Sequence, residues 1–227
     1  MKQSLCEAPL YMENIYTVQY LSKTTYLLLG VTSDLIIFLC EKHFCLGLFS
    51  WHPVFMSIAF CLCLTEAILI LSPDSAFFCC LRSHRTKVQL HWTAQTLVLV
   101  SGTLGLAFII SSKNRSELPH FVSWHSILGL LTLVATCGQV LCGLCLHFPH
   151  LLRISSTATV QMYHVTCGLI VYVLATFTVI LAIYSDWFQA QITGLAWYFY
   201  LALHFCPALV VVSQITRTRL PKKTQYV

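Results

Sequence analysis

Four histidines carry most of the chemical information in this chain. His52, His91, His125 and His164 each sit in the first turns of a long apolar segment. Ser50-Trp51-His52 recurs as Ser123-Trp124-His125, and His91 recurs as His164, both at a shift of 73 residues. Thr93 and Thr166 follow the second pair two positions on. If the segments are successive antiparallel helices, His52 and His125 share one depth, and His91 and His164 share another. Two imidazoles from facing helices satisfy both axial positions of a six-coordinate haem iron, and helix bundles build such sites from inward-facing side chains. A single imidazole in an apolar helix is ordinarily a hydrogen-bonded packing residue. Four at matched depths, related by a repeat, are not explained that way.

The helix faces that carry the histidines agree with this reading. Residues four, seven, eleven and fourteen positions on share a face with the starting residue. From His52 these are Met56, Ala59, Cys63 and Glu66; from His125 they are Gly129, Thr132, Thr136 and Gln139. From His91 they are Gln95, Val98, Gly102 and Gly105; from His164 they are Gly168, Val171, Ala175 and Thr178. Large aliphatic and aromatic side chains are almost absent, which leaves room for a flat macrocycle. Gly129 and Gly168 lie one turn from their histidines. Small-residue helix packing accounts for glycines but not for their alignment with histidines.

The elements that must position these residues are membrane spans. The 227 residues are 57% hydrophobic and 9% charged, with mean hydropathy +0.76. A soluble domain carries about a quarter charged residues. Six apolar segments run over residues 21–40, 51–71, 88–111, 121–146, 162–185 and 195–215. About 20 residues suffice to cross a bilayer, so the expected fold is all-α: six spans in the lipid bilayer, spans two to five forming a central four-helix bundle. The organisation expected is a cytoplasmic segment over 1–20, the six-span domain over 21–216 and a cytoplasmic tail over 217–227. The first twenty residues lack a signal-peptide apolar core, so the first span should act as its own insertion signal. Barrel strands are excluded by segment length and the absence of alternation. The net charge of +5 forms no basic stripe, so nucleic acid is not a partner. Most of the twelve cysteines lie in apolar runs, where a thiol behaves as a small hydrophobe. Cys142-x-x-Cys145 has no second pair and is not read as a zinc site.

Ten of the thirteen Lys and Arg fall at the N-terminus, the second and fourth loops and the C-terminus. The positive-inside rule puts both termini in the cytoplasm. His52 and His125 then lie toward the non-cytoplasmic face, as does the sequon Asn114-Arg115-Ser116, and His91 and His164 toward the cytoplasmic face. An endomembrane or the plasma membrane would serve as host, and spans one and six are free to pair in a homodimer.

With six spans, one histidine on each of spans two to five, Ser50-Trp51-His52-Pro53 and Thr65-Glu66-Ala67, the chain resembles the cytochrome b561 family, in particular its short six-span members. The resemblance implies two haem b groups, one held by His52 with His125 and one by His91 with His164. It also implies a transmembrane reductase carrying single electrons from cytoplasmic ascorbate to monodehydroascorbate radical or ferric iron on the other side. A 20-residue helix is about 30 Å long, so ligands near opposite ends place the irons roughly 20 Å apart.

An anionic donor needs a cationic site. Arg82, Arg85, Lys87 and Arg153 flank the expected cytoplasmic haem and are candidates for ascorbate; their other reading is positive-inside anchoring. Relatives that use ascorbate carry a basic cluster just before the third-span histidine, where this chain has Gln89. His120 precedes span four on the acceptor side, with Lys113 and Arg115 nearby. Glu66 and Asp34 are intramembrane acids, and such groups are costly and often functional. Glu66 could bond a group in the haem pocket, or Gln139 or a Thr across the bundle. His204, alone in span six, reads as structural. Two rival functions remain: a transporter using the histidines for protons or divalent metal, which would purify colourless, and a haem-bearing scaffold without ascorbate turnover.

Overall fold

The computed structural model describes residues 47–71, 83–150 and 155–219. The first span with Asp34, together with Arg82 and Arg153, lies outside them. Five helices among the described residues are long and apolar enough to cross a membrane. Helix α1 spans Leu48–Ile70 and α2 His84–Arg115; α3 spans Trp124–His147 and α4 Thr157–Ile183. A short helix α5, Asp186–Gln191, leads into α6, Leu195–Arg219. The second to sixth spans expected from hydropathy are present among the described residues. Helices α2 and α4 extend into the polar sequence at their starts, and α5 is an element that hydropathy did not announce.

Local sequence explains several boundaries. Ser123 opens α3 with a capping box: its hydroxyl accepts from the Ser126 N–H, and Ser126 returns the bond to the Ser123 N–H. Ser156 and Ser185 cap α4 and α5 by accepting from the backbone N–H of Thr159 and Phe188. These bonds satisfy donors that have no partner within the helix. Helix α3 ends at His147, just before Pro149.

The interior is narrow and the outer surface apolar, as expected of a bundle whose solvent is lipid. Ala59, Leu64, Ala67, Val98, Leu133, Val171 and Ala175 are buried between helices. Val134, Leu141, Ile170 and Phe177 stand exposed on the outer faces. Helices α1 and α2 pack as one hairpin and α3 and α4 as another; α2 meets α3, and α6 lies against α4.

Helix α1 is not α-helical throughout. Ser57–Cys63 forms a π-helical turn between α-helical flanks. Such a turn adds one residue to the helix, so everything beyond it is rotated by about 100° relative to an unbroken α-helix. The histidine-bearing face read at α-helical spacing therefore fails past Ala59. Ala67, not Glu66, is fully buried, and Glu66 is only partly covered.

Glycine positions give a stability test of the helix contacts. A Cβ on Gly102 would lie 2.9 Å from Leu133 Cδ1, whereas one on Gly138 meets nothing within 4 Å. Gly102→Ala is expected to lower thermal stability in detergent by about 1–3 kcal/mol through overpacking. Gly138→Ala is expected to raise it by up to about 1 kcal/mol, because alanine loses less backbone freedom in a helix. Equal effects at the two positions would contradict the α2–α3 contact.

Candidate functional site

The four histidines meet in two pairs. The rings of His52 and His125 have centroids 6.2 Å apart with planes at 81°. Those of His91 and His164 are also 6.2 Å apart, at 82°. The sequence repeat relates the two members of each pair, since a shift of 73 residues carries His52 to His125 and His91 to His164. The pairs occupy opposite ends of the bundle, since α1 and α3 begin at one end and α2 and α4 at the other.

Hydrogen bonds fix the ring orientation in three of the four. His52 Nδ1 lies 2.9 Å from the Gly105 carbonyl, and His125 Nδ1 lies 3.0 Å from the Thr178 carbonyl, each 53 residues along the chain. His91 Nδ1 lies 2.6 Å from the Ala67 carbonyl. A carbonyl only accepts, so Nδ1 donates in each case, and Nε2 is left as the nitrogen with a free lone pair. This is the arrangement of a metal-binding histidine, whose other ring nitrogen is ordinarily bonded to a carbonyl or carboxylate. The spacing of the rings fits as well. Two metal–imidazole bonds of about 2.0 Å set the facing nitrogens about 4 Å apart and the ring centres roughly 6 Å apart.

A cavity of about 310 Å³ surrounds the His52–His125 pair, within the range of cofactor sites. Met56, Phe60, Gly129, Thr132 and Thr178 line it, and Lys113, His120 and Trp187 stand toward the loop end. Gly129 faces Thr178, which in turn bonds Thr132 across the α3–α4 contact at 3.2 Å between hydroxyls. His120 is held by Asn114 Oδ1 at 2.7 Å, and Lys113 Nζ donates to the Pro119 carbonyl at 2.8 Å. The loop reaches this position through positive φ at Glu117 (54°) and Phe121 (55°).

At the other end, Gly168 faces Gln139 Oε1 and Gly143 faces His164 Cε1, each with room for a Cβ at 3.5 Å. Arg85 and Lys87 lie in the first turn of α2 at this end, Arg85 exposed and Lys87 partly buried. Glu66 is partly exposed on α1, and Gln139 Oε1 makes no hydrogen bond, so the two are not joined through that oxygen. His204 is buried with Cys61 Sγ 3.8 Å from its Nδ1. Cys142 and Cys145 are both free thiols.

The sequence reading named Gly105 and Thr178 for their size and missed that their carbonyls anchor the opposite histidines. It also missed Ala67 and Gly143. The signal for the first two was in the repeat: a shift of 73 residues carries both His52 to His125 and Gly105 to Thr178.

A helical membrane bundle with two facing imidazole pairs is the frame of a haem-binding membrane protein. The chain belongs to the eukaryotic cytochrome b561 family, whose sequence pattern matches residues 51–189. It is 58% identical over 178 residues to the probable transmembrane reductase CYB561D1 of Mus musculus, covering 78% of this chain and 77% of the relative. It is 37% identical over 177 residues to the transmembrane reductase CYB561D2 of Homo sapiens, covering 78% and 79%. A more distant relative is ascorbate-specific transmembrane electron transporter 2 of Zea mays, 28% identical over 130 residues, covering 56% and 52%. The chain is thus an integral membrane protein of a reductase family.

Proposed function

We propose that the protein is a six-span, two-haem transmembrane reductase that carries single electrons from cytoplasmic ascorbate to an acceptor on the far side, monodehydroascorbate radical or ferric iron. The observation that carries the proposal is the pair of matched imidazole couples at opposite ends of one bundle. His52 with His125 would hold the non-cytoplasmic haem b, and His91 with His164 the cytoplasmic one. Bound haem supplies a reversible one-electron couple at each position. The carbonyls of Gly105, Thr178 and Ala67 hold the rings to one tautomer and orientation. Gly129, Gly143 and Gly168 keep the space beside the histidines clear.

Both termini lie in the cytoplasm in this reading, which puts Arg82, Arg85, Lys87 and Arg153 on the donor side. Their positive charge draws ascorbate, an anion, toward the cytoplasmic pair. His120 and Lys113, at the loop end of the cavity beside His52 and His125, face the acceptor. Glu66 lies on the donor-side half of α1, at the level of the cytoplasmic pair. Moving one electron across the membrane potential is worth about 2.3 kcal/mol per 100 mV, so the field joins donor and acceptor in setting direction. The ascorbate-specific transporter among the relatives supports the choice of donor.

Sealed vesicles containing the purified protein and loaded with ascorbate test the reading. External monodehydroascorbate radical or a ferric chelate should be reduced at a rate that depends on the protein. A haem-loaded protein that transfers nothing at physiological ascorbate would favour a binding or scaffolding role. The Arg85→Gln, Lys87→Gln double variant is expected to raise the ascorbate concentration for half-maximal rate several-fold, with both haems retained; an unchanged value would remove these two residues from the donor site.

A further inference from the structure

The hydrogen bonds to the histidines obey a rule that the fourth one breaks. On α2, the residue fourteen beyond His91 is Gly105, whose carbonyl accepts from His52. On α4, the residue fourteen beyond His164 is Thr178, whose carbonyl accepts from His125. On α1, fourteen beyond His52, plus the one residue added by the π-helical turn, is Ala67, whose carbonyl accepts from His91. Each helix thus carries one histidine and, about four turns on, the acceptor for the histidine of the neighbouring helix. Helix α3 is α-helical throughout, so its corresponding position is fourteen beyond His125. That residue is Gln139.

His164 Nδ1 is buried without a hydrogen-bond partner, and Gln139 Oε1 is buried without one as well. One is the nitrogen that must donate if Nε2 binds metal; the other accepts only. They belong to facing helices at one level. Gly143, one turn beyond Gln139, faces His164 Cε1, and Gly168, one turn beyond His164, faces Gln139 Oε1. A buried donor and a buried acceptor each cost about 1–3 kcal/mol when left unmade. Rotation of the Gln139 amide, or a single bridging water, satisfies both together. Gln95 Oε1 is also buried without a partner, but it lies on α2, one turn from His91, and does not occupy the acceptor position of the rule.

We infer that the Gln139 side-chain amide is the acceptor that positions the His164 ring, completing at the fourth histidine what backbone carbonyls do at the other three. The inference rests on the two-haem reading. It separates the two haems in kind: a side chain, unlike a backbone carbonyl, is replaceable and movable, so the donor-side haem is the one whose ligand field this chain can tune. An acceptor on the distal nitrogen makes a ligating imidazole more basic and stabilises the ferric state. Its loss should make that haem easier to reduce.

The test is a potentiometric titration of the wild-type protein, Gln139→Met and Gln95→Met, with haem counting and the low-spin ferric resonances of each. Gln139→Met should retain two haems and raise the potential of one only, by about a tenfold change in its reduction equilibrium, which is 59 mV for one electron. The resonance of the same haem should shift as its ring turns from the 82° setting, and Gln95→Met should leave both haems where they are. Two haems with unmoved potentials in Gln139→Met, or an equal shift in Gln95→Met, would overturn the role of Gln139 while leaving the two-haem reading intact. A wild type without two haems would overturn both.

Discussion

His52→Ala is expected to yield a protein with one haem b where the wild type has two. The surviving haem should be the one at His91 and His164. His52 contributes a ring whose Nδ1 is fixed by Gly105 and whose centroid lies 6.2 Å from that of His125. Its removal would leave His125 as the one imidazole of the pair available to hold a haem in a cavity of about 310 Å³. The other pair depends on different anchors: Ala67 lies on the far side of the π-helical turn from His52. The reduced α-band should fall to about half, and transfer across vesicles to background, because one of two stations is gone. His91→Ala should give the reciprocal result, retaining the haem at His52 and His125. A chain that used these histidines to move protons or divalent metal would be colourless before and after the substitution and would lose transport instead.

Gly129→Leu is expected to expel the same haem without touching a ligand. Gly129 lines the cavity one turn from His125, and a Cβ there meets only Thr178 Cγ2 at an ordinary 3.5 Å. The first carbon is therefore accommodated, and the remainder of the leucine enters space that the macrocycle needs. Protein interiors tolerate little overpacking; a few added methylenes cost about 1–3 kcal/mol when the space is filled. Haem-free protein gains apolar contacts from the same side chain, so its thermal stability should hold or rise while the haem count drops to one. Gly129→Ala should keep both haems. Retention of two haems by Gly129→Leu would place the cofactor elsewhere than the cavity around His52 and His125.

Those substitutions could be chosen from the sequence because its strongest signals were periodic. Five of the spans, the pairing of His52 with His125 and His91 with His164, and the small residues beside them all follow from helical spacing and a repeat. The π-helical turn at Ser57–Cys63 was not legible, since Ser57, Ile58, Ala59, Phe60, Cys61, Leu62 and Cys63 suit either helix type. Its consequence was an error on one face only: Glu66 was placed where Ala67 belongs. The carbonyl acceptors were hard to read for a different reason. A backbone group carries no residue-type signature: the repeat relates Gly105 to Thr178 but does not say which group of either is used, and Ala67 lies outside it. Helix α5 was missed because six residues are too few for periodicity; only its Ser185 cap, which accepts from Phe188 N–H, marked it. The loop carrying His120 depended on positive φ at Glu117 and Phe121, which neither residue type suggests.

The most direct measurement is the haem content and redox spectrum of the purified wild-type protein, with haem and polypeptide quantified on the same sample. Two haem b per chain, both low-spin and both reducible, are expected from two imidazole pairs with centroids 6.2 Å apart. Pigment-free protein, or a single haem per chain, would contradict the assignment of the four histidines and the electron path built on them.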